Sequence, residues 1–327
     1  MADTTPLTLS AEINAATRPH HISLNRYITS RLPLCLPPRT ATPEIYVAGL
    51  EHFASIFFTF ESIWDKITAS ADVSRKLEDT WESLDSLSSS GSSAGEDPVT
   101  TFLRTLRPLG ISRSERLHLD LARLNREAGS ETVEQMRGEA QTEFMAHIRE
   151  TVRQKPHVLI AYAWCMYMAV FSGGRWIRSQ LCASGEEFWT GNAAREAPNT
   201  DGRDDLNLGK FEGLGLSFWF FPGAQDGEDI KADFKQRLQE GEAVLTAEQR
   251  ADVVAEAQEI FNRCDSLVRE LDSMRAKVDS LPGSSLAVGG KQKLKEDYWL
   301  GMPGYAGLAL VFSCVSWYAM YHAGTWN

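Results

Sequence analysis

The sequence predicts an all-α, multi-helical bundle, and three observations predict it. Apolar residues recur at helical spacing, as in Tyr46, Leu50, Phe53, Ile56, Phe57, Phe60 and Trp64. Long alternating segments, the mark of half-buried strands, are few, and 13 prolines interrupt what remains. The third observation is the run 156–181, PHVLIAYAWCMYMAVFSGGRWIRSQL, whose helical pattern continues without a turn cluster after its first residue.

The elements follow in order. Residues 9–32 read as a first helix with Ser10 as its N-cap, and Pro19 inside it implies a kink or a later start. The Pro-rich stretch 33–43 is a connector, and 44–77 is a second helix. A Ser/Gly loop covers 84–98. Helices are expected from about 99, over 112–128 and over 131–153. After the 156–181 run, residues 183–212 are polar and turn-rich, a long surface excursion. An aromatic stretch at 214–221 ends at Pro222-Gly223. Two last helices span 228–241 and 246–280, and Thr246 with Gln249 has the spacing of a capping box. This gives a helical domain over 1–280, a linker over 281–297 and a C-terminal hydrophobic helix over 298–327.

Composition narrows the function. The chain has 327 residues, 43% of them hydrophobic, enough to bury a substantial core. A net charge of −11 argues against nucleic acid, since phosphate recognition needs clustered Lys and Arg. Any anionic ligand must therefore be held by a local basic patch. The five cysteines, 35, 165, 182, 264 and 314, include no Cys-x-x-Cys pair, so a reducing compartment is the economical reading. The N-terminus lacks a secretory pattern. Residues 305–321, YAGLALVFSCVSWYAMY, carry no charge, and Lys291, Lys293 and Lys295 precede them. The expectation is a transmembrane tail anchor over 298–327, with the globular part in the cytosol and the endoplasmic reticulum as the membrane. A buried core helix is the alternative.

The run 156–181 carries Gly173 and Gly174 in its interior. Each glycine inside a helix costs about 1 kcal/mol against alanine, so something must offset the pair. A kink would do so, as would the close approach of another body, either a flat cofactor or a neighbouring helix. The glycines alone do not choose. His20 and His21, on the first helix, offer an imidazole of the kind that ligates heme iron, or simply surface histidines. Lys231, Lys235 and Arg237 form a basic face. The two lysines, one turn apart, can reach a single anionic group, though a solvated face is the plainer reading. Glu115-x-x-His118 is a single copy of a motif that a di-iron bundle needs twice. Gly91-Ser92-Ser93-Ala94-Gly95 matches a nucleophile elbow in letters only, with no strand before it.

Together, and over most of 9–275, these pieces resemble the heme oxygenase family. LSAEINAATRPHHISLNRY is similar to the family's proximal-helix opening, and the register puts the heme-ligating histidine on His21 rather than His20. The 156–181 run resembles the distal helix, whose Ser-Gly-Gly lets the backbone pass over the heme face. SFWFFPG, IKADFKQRLQEGEAVLTAEQR and VVAEAQEIFNRCDSLVREL resemble the C-terminal half.

The resemblance implies heme b as substrate and cofactor, with His21 as metal ligand. Arg18, Lys231 and Lys235 would lie at the propionates and Phe261 would be a wall of the pocket. Gly173, Gly174 and Tyr167 become the catalytic elements of the distal helix. It implies oxidative cleavage of heme to biliverdin, CO and ferrous iron, using O₂ and electrons from an external NADPH-dependent reductase. Microsomal members also share a hydrophobic C-terminal anchor. The chain departs from the family where water is held near the iron. The aspartate before Ser-Gly-Gly is Val170. The upstream tyrosine and arginine are Trp164 and Met166, and the glutamate beside the proximal histidine is Asn25. These departures leave two further readings beside the oxygenase, a non-catalytic heme sensor or carrier and a membrane-anchored helical scaffold without heme.

Overall fold

The computed structural model describes residues 7–84, 97–128, 138–190 and 211–280. The chain divides into two units, Met1–Leu281 and Pro282–Asn327. The second, with the expected linker and anchor, lies outside the described residues, as do 85–96, 129–137 and 191–210. The described residues are helical, with no strand among them.

Helix α1 spans Leu9–Arg31. Its N-cap is Thr8 rather than the expected Ser10, with the Thr8 hydroxyl accepting from the Ala11 N–H at 3.3 Å. Pro19 sits inside the helix without ending it, so the later start is excluded. Helix α2 covers Glu44–Leu84 and so passes its expected end near 77. Helix α3, Pro98–Leu106, opens with Pro98 at its first position, where a missing N–H is harmless. The Asp97 carboxylate accepts from Val99 and Thr100 to cap it. Helices α4 (Ser114–Ala128) and α5 (Glu139–Gln154) follow.

The run expected as one helix is broken. It comprises a 3₁₀ turn at Pro156–Val158, α6 at Leu159–Tyr162, a π-turn at Ala163–Tyr167, α7 at Met168–Ser172 and α8 at Gly174–Ala183. The part ending at Ser172 and the part starting at Gly174 meet at 44°. The glycines thus mark a real bend, as their helix cost anticipated. Every residue from His157 to Tyr167 is buried, which makes this the core helix of the domain. Among the described residues no single helix is long and apolar enough to cross a membrane.

The expected surface excursion instead begins with α9, Glu186–Thr190, which buries Phe188 and Trp189. Trp189 donates to the Leu181 carbonyl at 3.0 Å and meets Tyr46 edge-on. A polar count across 183–212 hid these two aromatic anchors. Helices α10 (Glu228–Gly241) and α11 (Ala247–Ser280) close the domain. The capping box forms as expected, Gln249 N–H to the Thr246 hydroxyl at 3.2 Å and Thr246 N–H to Gln249 Oε1 at 2.9 Å. Helix α11 lies along α1 and also packs on α5 and α6, while α2 packs on α3, α4 and α5. One apolar cluster joins them, with Phe60, Trp64, Phe144, Tyr162 and Leu267 fully buried.

Candidate functional site

Three elements meet along the broken helix: α1, the broken helix itself and α10, each touching the others. On α1, Asn14 accepts the indole N–H of Trp164 at 3.0 Å, so this face of α1 is turned toward the broken helix. His21 lies seven residues further on, within about 20° of the same face, whereas His20 is about 120° round. The His21 ring meets Phe261 of α11 edge-on at 5.9 Å. Nearby, Gln258 ties α11 to α1 by donating to the Ala16 carbonyl at 3.1 Å. His21 is open to solvent on one side, yet enough protein surrounds its ring for desolvation to lower its pKa below the ordinary 6.5. Its imidazole is neutral at pH 7, the state that can donate a lone pair to a metal. Arg18 is exposed one turn before it.

Along the broken helix, Ala169, Ser172 and Gly173 are exposed, and Trp176 is 38% exposed beyond the bend. The two glycines do different work. A Cβ at Gly174 would lie 3.1 Å from the Trp219 ring and 3.6 Å from Val170, so this glycine admits a neighbouring side chain. A Cβ at Gly173 would have the Ala169 carbonyl at 3.4 Å as its one near neighbour, so its other sides are open. The bland explanation holds for Gly174, and the open backbone belongs to Gly173. Val170 is buried, and Phe171 stacks on Phe221 at 4.3 Å.

Tyr167 is turned into the core. Its hydroxyl donates to Glu61 at 2.9 Å, and the same carboxylate accepts from the backbone N–H groups of Arg113 (2.9 Å) and Ser114 (3.0 Å), holding the start of α4. Burial pushes the phenol pKa well above its ordinary value. Tyr162 is likewise bound to the buried Glu256, which also accepts from His147 at 2.9 Å. Neither carboxylate was singled out in the sequence, because both partners lie about 90 residues or more away.

On α10, Arg237 is drawn off the basic face, held by Asp233 at 2.7 Å and by the Thr105 carbonyl at 2.8 Å. Lys231 lies 3.4 Å from Glu228. Lys235 makes no hydrogen bond or ion pair among the described residues. Burial, and Lys231 beside it, lower its pKa. A half-buried lysine pair short of counter-charge favours an anion.

Elsewhere, His118 stacks on Phe58 at 3.9 Å, and no group of His, Cys, Asp and Glu among the described residues could hold a metal. Cys165 and Cys264 are buried free thiols. Burial raises both, Cys264 to about 12, which leaves them inert at neutral pH.

The fold matches solved structures whose sequences differ widely from this one. Heme oxygenase 2 of Chlamydomonas reinhardtii, solved without heme, aligns with a TM-score of 0.52 at 16% identity over 80% of this chain and 97% of that one. Heme oxygenase of Leptospira interrogans gives 0.53 at 15% over 81% and 100%. Heme oxygenase-1 of the cyanobacterium Synechocystis sp. PCC6803, solved in complex with heme, gives 0.52 at 15% over 84% and 96%. No curated protein sequence matches the chain. The heme oxygenase family model matches residues 93–270, more than half of the sequence, and the chain belongs to the heme oxygenase family.

Proposed function

We propose that this protein binds heme b between α1 and the broken helix, with His21 as the residue that would hold the iron, and oxidises it to biliverdin, CO and ferrous iron. One observation carries the reading. A neutral, solvent-reachable imidazole stands on the α1 face that Asn14 turns toward the broken helix, whose exposed strip is made of the small residues Ala169, Ser172 and Gly173. These residues fit a flat, apolar macrocycle with a central metal. Lys231 and Lys235, short of counter-charge, fit its carboxylates, with Arg18 as a third cation and Phe261 as a wall beside His21. When bound, heme supplies the O₂-binding iron and is itself the molecule oxidised, with electrons from an external reductase. The chain's own tasks are to hold the ring and to exclude water with its apolar walls.

A second reading, a heme carrier or sensor without turnover, rests on Val170 and Tyr167. Val170 is buried and can orient no water, and the Tyr167 hydroxyl is committed to Glu61. Titrating the full chain with hemin tests binding. A saturable Soret band that is lost in His21→Ala and kept in His20→Ala is expected, and the reverse pattern moves the ligand to His20. Absence of any saturable band rejects both heme readings in favour of a helical scaffold. Biliverdin formed on adding a reductase, NADPH and O₂ selects the oxygenase, with a higher yield expected in Val170→Asp. Binding without product selects the carrier.

We further propose that residues 298–327 anchor the chain in the endoplasmic reticulum membrane, on the support of the uncharged stretch 305–321. The full chain should resist carbonate extraction from membranes, and a chain ending at 297 should not.

A further inference from the structure

We propose that Glu228 sets how strongly Lys231 and Lys235 take up an anionic ligand, by releasing Lys231 while it keeps Arg175 as that ligand arrives. The inference rests on the heme reading above and adds a residue that controls it from outside the pocket. One Glu228 carboxylate serves two cations. Oε1 lies 2.7 Å from the Arg175 guanidinium on α8, and Oε2 lies 3.4 Å from Lys231 Nζ one turn along α10. Lys231 is the weaker of the two partners by distance, and it is the one beside the underbalanced Lys235.

The Arg175 end is firmly built. Arg178, the next turn of α8, grips Asp226 with two hydrogen bonds of 2.8 and 2.6 Å and lies over the Phe220 ring at 4.4 Å. Arg175 also donates to the Asp226 carbonyl at 3.1 Å and approaches its carboxylate at 3.5 Å. Asp226 holds a left-handed backbone, φ 48°, and Gly227 after it has φ 79°. A Cβ on Gly227 would fall 2.5 Å from the Phe221 ring, so the turn cannot relax by substitution there. The start of α10 is thereby fastened to α8, immediately after the bend at Gly173. Among the described residues the ion pairs of Arg175, Arg178 and Lys231 run to Asp226 and Glu228, and Lys235 has none.

A dianionic ligand supplies the missing charge. When its carboxylates meet Lys231 and Lys235, Lys231 leaves Glu228, and Glu228 keeps Arg175 as its partner. The release therefore leaves no carboxylate unpaired. Glu228 is a built-in competitor whose strength Arg175 moderates.

Hemin and its dimethyl ester, which lacks the two carboxylates, test this on the full chain by Soret titration at low salt. Glu228→Gln removes the competitor and should tighten hemin about two- to five-fold, the range for partly exposed ion pairs. It should leave the ester unchanged, and the gain should shrink at high salt. Arg175→Gln leaves Glu228 wholly to Lys231 and should weaken hemin by a similar factor. In the Glu228→Gln background Arg175→Gln should do nothing further. Unmoved hemin affinity in Glu228→Gln, or equal shifts for hemin and ester, overturns the inference alone. A wild-type chain without a saturable Soret band overturns the heme reading and the inference with it.

Discussion

Trp164 gives its indole N–H to Asn14 at 3.0 Å and so orients α1 against the broken helix. A tryptophan at this position buries its ring beside Phe234, at 6.2 Å, while its one polar atom reaches across to the neighbouring helix. The bond turns toward the broken helix a face of α1 that lies, by helical rotation, nearer to His21 than to His20.

Trp164→Phe keeps an aromatic ring and removes the donor. It should lower stability by about 1 kcal/mol, the net worth of one hydrogen bond, with an unchanged denaturant slope in urea unfolding. Loss of the tether should also weaken hemin binding, read from the same Soret titration.

The two glycines should respond differently to alanine. Gly173 has ordinary right-handed helical angles and open space, so Gly173→Ala should be neutral or stabilise the ligand-free protein by up to about 1 kcal/mol. Gly174→Ala drives a methyl against Trp219 and should be less stable than Gly173→Ala by about 1–3 kcal/mol. Hemin affinity should reverse the order, falling more in Gly173→Ala, where the new methyl projects from the open side.

Glu61 collects three donors in a buried place, so Glu61→Gln leaves one of them facing an amide N–H. The expected loss is about 2–3 kcal/mol, against about 1 kcal/mol for Tyr167→Phe. Equal losses would show that α4 does not depend on this carboxylate for its start.

Asp120 should leave a signature in the pH dependence of stability. It accepts from the Ser217 N–H and hydroxyl and from the Phe218 N–H, and burial raises its pKa from 3.8 to about 6. A carboxyl whose folded pKa exceeds its unfolded one binds more protons when folded. Its contribution is therefore full below about pH 4 and is lost as pH rises through about 6. Urea unfolding across this window should show that decline in the wild type and a flatter profile in Asp120→Asn.

Much of the fold could be read from local pattern. The helices at 9, 44, 228 and 247 begin within about two residues of expectation, because caps and apolar spacing act over a few residues. The break at 163–174 was legible only as a tension, two glycines in a helical run. The 44° bend and the π-turn depend on what packs beside them. Among the residues proposed for the site, His21, Lys231, Lys235 and Phe261 were singled out through the order of motifs along the chain. Glu61, Glu256, Asp226 and Glu228 were not, because a lone acidic residue carries no periodic or spacing signal.

By itself the sequence determined the helical class, the order of the pieces and the family they belong to, and it put a valine at 170, where the resemblance expects an aspartate. Each is a local property or a comparison of letters. Only the tertiary structure decided that Gly174 serves Trp219 while Gly173 stays open, that Tyr167 spends its hydroxyl on Glu61, and that Glu228 stands between Arg175 and Lys231. Those outcomes turn on distances between side chains far apart in the chain, and packing alone sets them.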